Sequence, residues 1–207
     1  LALIVSGGHT EIYRVNDFGD YKILGQSLDD AAGESFDKVA KMLKLGYPGG
    51  PIIDRKAKSG NPLAHDFPRA LLEKGSLDFS FSGLKTSVRN VIIKREENKI
   101  SNLTNDDIAA SFQEAVIDVL TTKLILASKN ENIKRIVITG GVAANQGLRK
   151  RFDIEAKKHQ LKVFFPDPIF CTDNAAMIAC AGYYNCRNSL PLLKDTINLD
   201  ANTMIKL

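Results

Sequence analysis

LALIVSGGHTE, residues 1–11, and IVITGGVAAN, residues 136–145, decide the fold, because each is an apolar run that ends in a Gly-Gly turn. Glycine has no Cβ, so the backbone N–H groups of Gly7, Gly8, Gly140 and Gly141 can approach an anion closely and form an anion-binding nest. Behind the second turn lies a helical apolar pattern, Leu148, Phe152 and Ile154, whose free N-terminal N–H groups and dipole would face the same ligand. Behind the first, HTEIYRV alternates as a strand does, so SGGH reads as a hairpin loop. Either turn alone is ordinary chain geometry; the two together point to a phosphate cleft.

Outward from these turns, strand signals over 1–5, 11–15 and 21–26 predict a meander. Residues 31–43 predict an amphipathic helix with Phe36, Val39, Ala40 and Leu43 on one face, stopped by LGYPGGP. A short helix follows from Ile52, then a loop-rich stretch over 59–76 and a short strand in DFSFSG with Phe79 and Phe81 on one face. Helices are predicted over 84–97 and 106–128, the second capped by Thr104 or Asn105. A strand over 133–139, a helix over 145–159 and a strand over 163–165 make a parallel crossover of the usual right hand. A last helix over 174–184 precedes an irregular tail. The fold class is α/β.

With 207 residues, 44% of them hydrophobic, the chain can bury the core of one large domain. No apolar run approaches the roughly 20 residues of a membrane span. The chain opens on Leu1 within a strand, the expected mark of a piece of a longer protein. Cys171, Cys180 and Cys186 are odd in number and lack CxxC spacing, which fits free thiols in a reducing cytoplasm rather than disulfides or a zinc knuckle. A net charge of +4, with basic clusters at 149–151 and 157–159, permits a nucleic-acid partner, although such clusters are also ordinary solvated helix faces.

Several side chains could carry chemistry. Asp37 sits one helical turn before Lys41, the spacing of a surface ion pair. Alternatively Asp37 and Asp54, flanking the YPGGP break, aim two carboxylates at a sugar diol, with Gly49 and Gly50 admitting the ligand. Glu34 complements the helix start and receives no role. Asp173 lies where a helix begins, as a cap or as a metal ligand. His9, His65 and His159 show neither HxxxH nor HExxH spacing, so a metal site is not closed within this chain. His9 is a structural histidine or a phosphate contact. Ser80 and Ser82 fit no triad and bond backbone. Asn145 is an N-cap whose amide could also touch a nucleotide.

In chain order, IVSGGHTE, GESFDKVAK, YPGGPIID, FSFSGLKT, ITGGVAANQGLR and CTDNAAMIA resemble the tRNA adenosine threonylcarbamoyltransferases, the TsaD family formerly called O-sialoglycoprotein endopeptidases. The resemblance implies an actin/Hsp70/sugar-kinase-like nucleotide-binding lobe with a helical insertion. On that reading residues 1–207 are the C-terminal lobe of a longer protein, with 174–207 returning to the N-terminal lobe. It implies transfer of threonylcarbamoyl from its adenylate to the adenosine beside the anticodon of tRNAs reading codons that begin with A. Carried over block by block, Ile4, Val5, Ser6, Gly7 and Gly8 form the phosphate-side loop, Asp37 and Asp54 the sugar contacts, and Gly50 and Asn145 further substrate contacts. Asp173 would be a ligand to one divalent metal, iron in the first place with zinc as the alternative, which polarises the carbonyl while ligands from the N-terminal lobe complete the site. The family's HxxxH pair and N-terminal lobe have no counterpart in these residues. Implied partners are threonylcarbamoyl-adenylate or another adenine nucleotide, tRNA and accessory proteins of a tRNA-modification complex, in the cytoplasm and without a membrane. The rival readings are a metalloendopeptidase, a noncatalytic nucleotide-binding module and a sugar-kinase-like phosphotransferase.

Overall fold

In a computed structural model, which describes residues 1–70, 72, 75–98 and 102–187, the first apolar run forms β1 (Ala2–Val5) at the centre of a five-stranded sheet. β2 (Thr10–Asp17) returns antiparallel with Val5 opposite Thr10, and β3 (Asp20–Gln26) completes the meander. On the other side β4 (Arg135–Thr139) runs parallel to β1, and β5 (Lys162–Phe164) parallel to β4. The order is β3-β2-β1-β4-β5. Because Ile4 stands opposite Thr139 in a parallel pair, both strands end at the same edge, and both Gly-Gly turns leave the sheet together. Open α/β sheets bind ligands outside the carboxyl ends of their strands.

Alternation decides which sheet face meets the core. Leu3, Val5, Ile136 and Ile138 are fully buried, while Ala2 and Ile4 are half-buried and Arg135 and Val137 exposed. The buried face packs in one core with α1 (Ala32–Met42), α2 (Gly49–Ala57), α3 (Ser82–Glu96), α4 (Asn105–Glu131) and α5 (Gln146–His159). The centre of that core is α4, whose Ile108, Phe112, Val116, Leu120 and Leu124 recur every fourth residue and are all buried. Its start is fixed by a capping box in which Thr104 Oγ1 accepts from the Asp107 N–H and the Asp107 carboxylate accepts from the Thr104 N–H.

Four boundaries differ from the sequence expectations. The second helix starts at Gly49, not Ile52, since Pro51 occupies a first-turn position whose missing N–H would have had no partner in the helix anyway. DFSFSG forms no strand but a single parallel bridge between Ser27 and Phe79, because the chain turns directly into α3. A 3-10 turn (Gly141–Ala144) intervenes between the second Gly-Gly turn and α5. α6 (Ala175–Cys186) is capped by Asn174, whose Oδ1 accepts from the Met177 N–H, and not by Asp173. Cys171 and Cys180 are free thiols; the Cys186 side chain and the tail from residue 188 lie outside the described residues. No described helix is long and apolar enough to cross a membrane.

Candidate functional site

At the carboxyl ends of β1 and β4 a cleft of about 480 Å³ opens between α1, α2 and the 3-10 turn. Gly7 from the first Gly-Gly turn and Gly141 from the second both line it, with Phe36, Asp37, Gly50, Asp54 and Asn145. A Cβ built on Gly7, Gly50 or Gly141 meets nothing within 4 Å, so these three backbones face open space that a ligand could enter closely. Gly140 does different work. Its φ of 95° and its contact with β1, where a Cβ would lie 2.4 Å from the Val5 carbonyl oxygen, press the two turns together.

The first turn is narrower as an anion nest than its two glycine N–H groups suggest. Ser6 Oγ accepts from the N–H groups of Gly8 (3.3 Å) and His9 (3.0 Å), and the Ser6 N–H donates to the His9 carbonyl at 2.8 Å. Ser6 and Gly8 therefore close the loop internally, and neither they nor Ile4 and Val5 line the cleft; the Val5 side chain is wholly in the core. The turn is docked on α1 through Gly33, whose N–H donates to the Ser6 carbonyl at 3.0 Å.

The carboxylates carry a structural task that spacing alone does not reveal. Asp37 bonds not Lys41 but the Gly49 N–H, at 2.7 Å, and so caps α2. Asp54 accepts from Gln146 (3.3 Å) and Gly147 (3.5 Å) at the start of α5. Asp29 accepts from the Phe81 and Ser82 N–H groups at the start of α3, and Ser80 donates its hydroxyl to the same carboxylate rather than to backbone. Three helices are thus capped by acids from distant segments. A carboxylate offers about four lone-pair sites, so Asp37, with one filled, keeps capacity toward the cleft. Asn145 is the N-cap of α5, Oδ1 accepting from the Leu148 N–H at 2.9 Å, and its amide also donates to Gln113 Oε1 at 2.7 Å; one amide N–H is left over.

Beside Asp29, Asp30 accepts from Lys38 (2.8 Å) on α1 and Lys85 (2.6 Å) on α3, and Glu34 shares Lys38 at 2.7 Å. Burial alone would raise both aspartates, but hydrogen bonds outweigh it and hold them below the usual carboxylate range: from Lys38 and Lys85 for Asp30, from Ser80 and the α3 N–H groups for Asp29. A carboxyl depressed in the folded state stabilises above its unfolded value, about 3.9, and that contribution is lost as pH falls through the folded one. Urea midpoints measured from pH 6 downward should therefore drop below about pH 4. Asp30→Asn should flatten the drop, and an unchanged profile would remove the α1–α3 tie from the account.

Asp173 is exposed and adjoins Thr172, which lines the cleft. Among the described residues no three His, Cys, Asp or Glu side chains gather in a way that could hold a metal ion. The histidines are spent separately: His65 packs edge-on to Phe67, His159 pairs with Glu155 at 3.2 Å, and His9 is exposed. The described residues do not by themselves fit a metal. Sequence reading missed Arg55 and Lys58, cleft-lining cations on α2 and just beyond it, because a helix-face cation carries no motif.

The family model described as tRNA N6-adenosine threonylcarbamoyltransferase (TsaD) matches residues 1–180. The chain is 54% identical over 189 residues to the protein of that name from Clostridioides difficile (strain 630), covering 91% of this chain and 55% of the relative. It is 48% identical over 207 residues to the one from Clostridium beijerinckii, covering 100% and 60%. The chain thus spans between half and two thirds of the length of these curated relatives. Among solved structures, HypF of T. kodakarensis aligns with a TM-score of 0.56 at 17% identity, over 80% of this chain and 21% of that one. The activator of the 2-hydroxyisocaproyl-CoA dehydratase from Clostridium difficile, solved with bound ADPNP, aligns at 0.50 and 16%, over 97% and 64%. These two likenesses are of fold alone.

Proposed function

Since this chain belongs to the TsaD family of tRNA N6-adenosine threonylcarbamoyltransferases, we propose that its cleft is the nucleotide side of an acyl-transfer site. In the whole protein, threonylcarbamoyl passes from its adenylate to N6 of the adenosine beside the anticodon, in tRNAs reading codons that begin with A. The N6 amine attacks the carbamoyl carbon, the bond from that carbon to the phosphate oxygen breaks, adenylate leaves with the bonding pair, and the amine's proton passes to solvent. The observation that carries this reading is the convergence of Gly7, Asp37, Gly50, Asp54, Gly141 and Asn145 on one cleft of about 480 Å³, within the range of pockets that enclose small ligands. The family description is that of a transferase, which favours this reading over a metalloendopeptidase.

In the proposal the Gly7 and Gly141 N–H groups meet the phosphate, where fixed donors stabilise charge as it develops on the leaving oxygen. The spare lone pairs of Asp37 and Asp54 take the ribose hydroxyls, and the remaining Asn145 N–H orients the nucleotide. Asp173 would give one ligand to an iron or zinc ion completed from outside the described residues; such an ion supplies Lewis-acid chemistry when bound. The fold would be one lobe of the actin/Hsp70/sugar-kinase type with a helical insertion. Its exposed apolar α6, with Ile178 and Tyr183 each 66% accessible, would be where 174–207 meet a further lobe, and accessory proteins would complete the tRNA-modification complex.

Asparagine at position 37 or 54 keeps an oxygen for the helix cap while removing the charge, which separates binding from folding. Asp37→Asn and Asp54→Asn should each weaken calorimetric binding of a non-hydrolysable adenylate analogue by about 1–3 kcal/mol, with thermal unfolding of the free protein nearly unchanged. Unaltered affinity in both would reject the ribose role.

A further inference from the structure

Next to the cleft, and sharing Asp37 with it, is a second shallow pocket of about 530 Å³ lined also by Lys38, Lys41, Lys44, Gly46 and Tyr47. Tyr47 is 82% exposed and directly precedes Pro48, a residue of the cleft wall. The lysines are not equivalent. Lys38 is neutralised by Asp30 and Glu34, whereas among the described residues no acid lies within ion-pair distance of Lys41 or Lys44, both of them exposed. At α2 the pattern repeats: Lys56 is paired with Asp106, while Arg55 and Lys58, which line the cleft, have no acidic partner among the described residues. Cations without ion-pair partners among the described residues, in the cleft and in the pocket beside it, together with an exposed aromatic ring in that pocket, match single-stranded nucleic acid. Phosphates need point charges along a track, and an unstacked base needs a π surface.

We propose that Lys41, Lys44 and Tyr47 form the RNA-loop contact of this site: Tyr47 stacks a base flanking the reacting adenosine while the two lysines neutralise the adjoining phosphates. The proposal rests on the transferase reading above and adds where the RNA lies. Reaching the N6 amine requires that the adenosine leave its stack, and a neighbouring base held on Tyr47 is what keeps the loop open. An acidic peptide would use the same charges but would gain little from the ring.

The test is fluorescence anisotropy of the whole chain with a labelled RNA hairpin that carries an adenosine beside an anticodon loop, alongside calorimetry with an adenine nucleotide. Tyr47→Ala should weaken hairpin binding about tenfold or more and Tyr47→Phe should restore it, because base stacking needs the ring and not the hydroxyl. Lys41→Gln with Lys44→Gln should lower the slope of log K against log salt by about 1.4, two single-strand phosphate contacts at about 0.7 each. Nucleotide binding should stay unchanged in all three. If nucleotide binds but Tyr47→Ala holds the hairpin as the wild type does, or the salt slope does not move, the RNA surface is wrong while the nucleotide cleft stands. Polyglutamate competing as well as unlabelled hairpin would overturn it in favour of an acidic protein. A wild-type chain that binds neither nucleotide nor hairpin would remove the nucleotide cleft proposed for this chain, and this surface with it.

Discussion

Gly140→Ala is expected to lower the free energy of unfolding by about 2–5 kcal/mol and to abolish nucleotide binding in the cleft. Two penalties add. A φ of 95° is one that side-chain-bearing residues avoid, at a cost of about 1–2 kcal/mol. The new Cβ would also stand 2.4 Å from the Val5 carbonyl oxygen and 2.8 Å from its carbon, and both contacts are with the backbone of the central strand. No rotamer change relieves a backbone clash, so β1 and the turn must part, at an overpacking cost of about 1–3 kcal/mol. Against a total stability of about 5–15 kcal/mol this is a large share, and the displacement separates Gly7 from Gly141. Gly141→Ala is the informative control, since its Cβ meets nothing within 4 Å. That variant should keep the urea midpoint of the wild type and lose affinity only, by crowding the place a phosphate would take. Equal stability of Gly140→Ala and wild type would show that the two turns are not wedged against each other.

The contrast between those glycines shows what the sequence could and could not say. That both Gly-Gly turns end apolar strands is visible in LALIV and IVIT, and period-2 and period-3.6 patterns placed the meander, α1, α4 and α5 within a few residues. Which glycine faces the ligand and which packs on a neighbour depends on the parallel register of β1 and β4, which no local pattern encodes. The same limit governs the acids. Asp29, Asp37 and Asp54 cap helices that begin 53, 12 and 92 residues away, so their partners could not be read from i,i+3 or i,i+4 spacing. By contrast α4, capped by Thr104 and Asp107, and α5 and α6, capped by Asn145 and Asn174, carry their caps in their own local sequence. Gly49-Gly50-Pro51 read as a break because glycine and proline are poor in helix interiors; they open α2 because a first turn makes few internal bonds, and because Gly49 lies against Phe36 and Asp37, where a Cβ would come within 2.7 Å of backbone. Asp37 and Asp54, singled out as possible sugar contacts, are then held beside the cleft by the helix ends they cap.

Phe112→Ala should cost about 3–5 kcal/mol, and it should do so from behind the cleft without touching a ligand. Phe112 is fully buried on α4 and meets Phe36 of α1 edge to face, with centroids 5.1 Å apart and planes at 76°. Such a pair adds about 0.5–1.5 kcal/mol to the burial of its area, and truncation also leaves a cavity that the surrounding helices fill only in part. The element free to move into that space is Phe36, which is 1% exposed and forms part of the cleft floor. Its chain neighbour is Asp37. A shift of Phe36 toward α4 therefore lengthens the 2.7 Å bond between Asp37 and the Gly49 N–H, loosening the α2 cap and the carboxylate proposed for the ribose together. Two measurements follow. The urea midpoint should fall with the slope of the transition unchanged, as expected when the core loses packing and the unfolded state is unaltered. Nucleotide affinity, measured where the variant is still fully folded, should fall by less than in Asp37→Asn, because the charge remains and only its placement is degraded. Phe112→Leu, which leaves a smaller cavity, should lie between wild type and alanine on both axes. A stability loss below about 1 kcal/mol for alanine would mean that the space closes freely, and the cleft floor would then owe its position to α1 and the sheet rather than to α4.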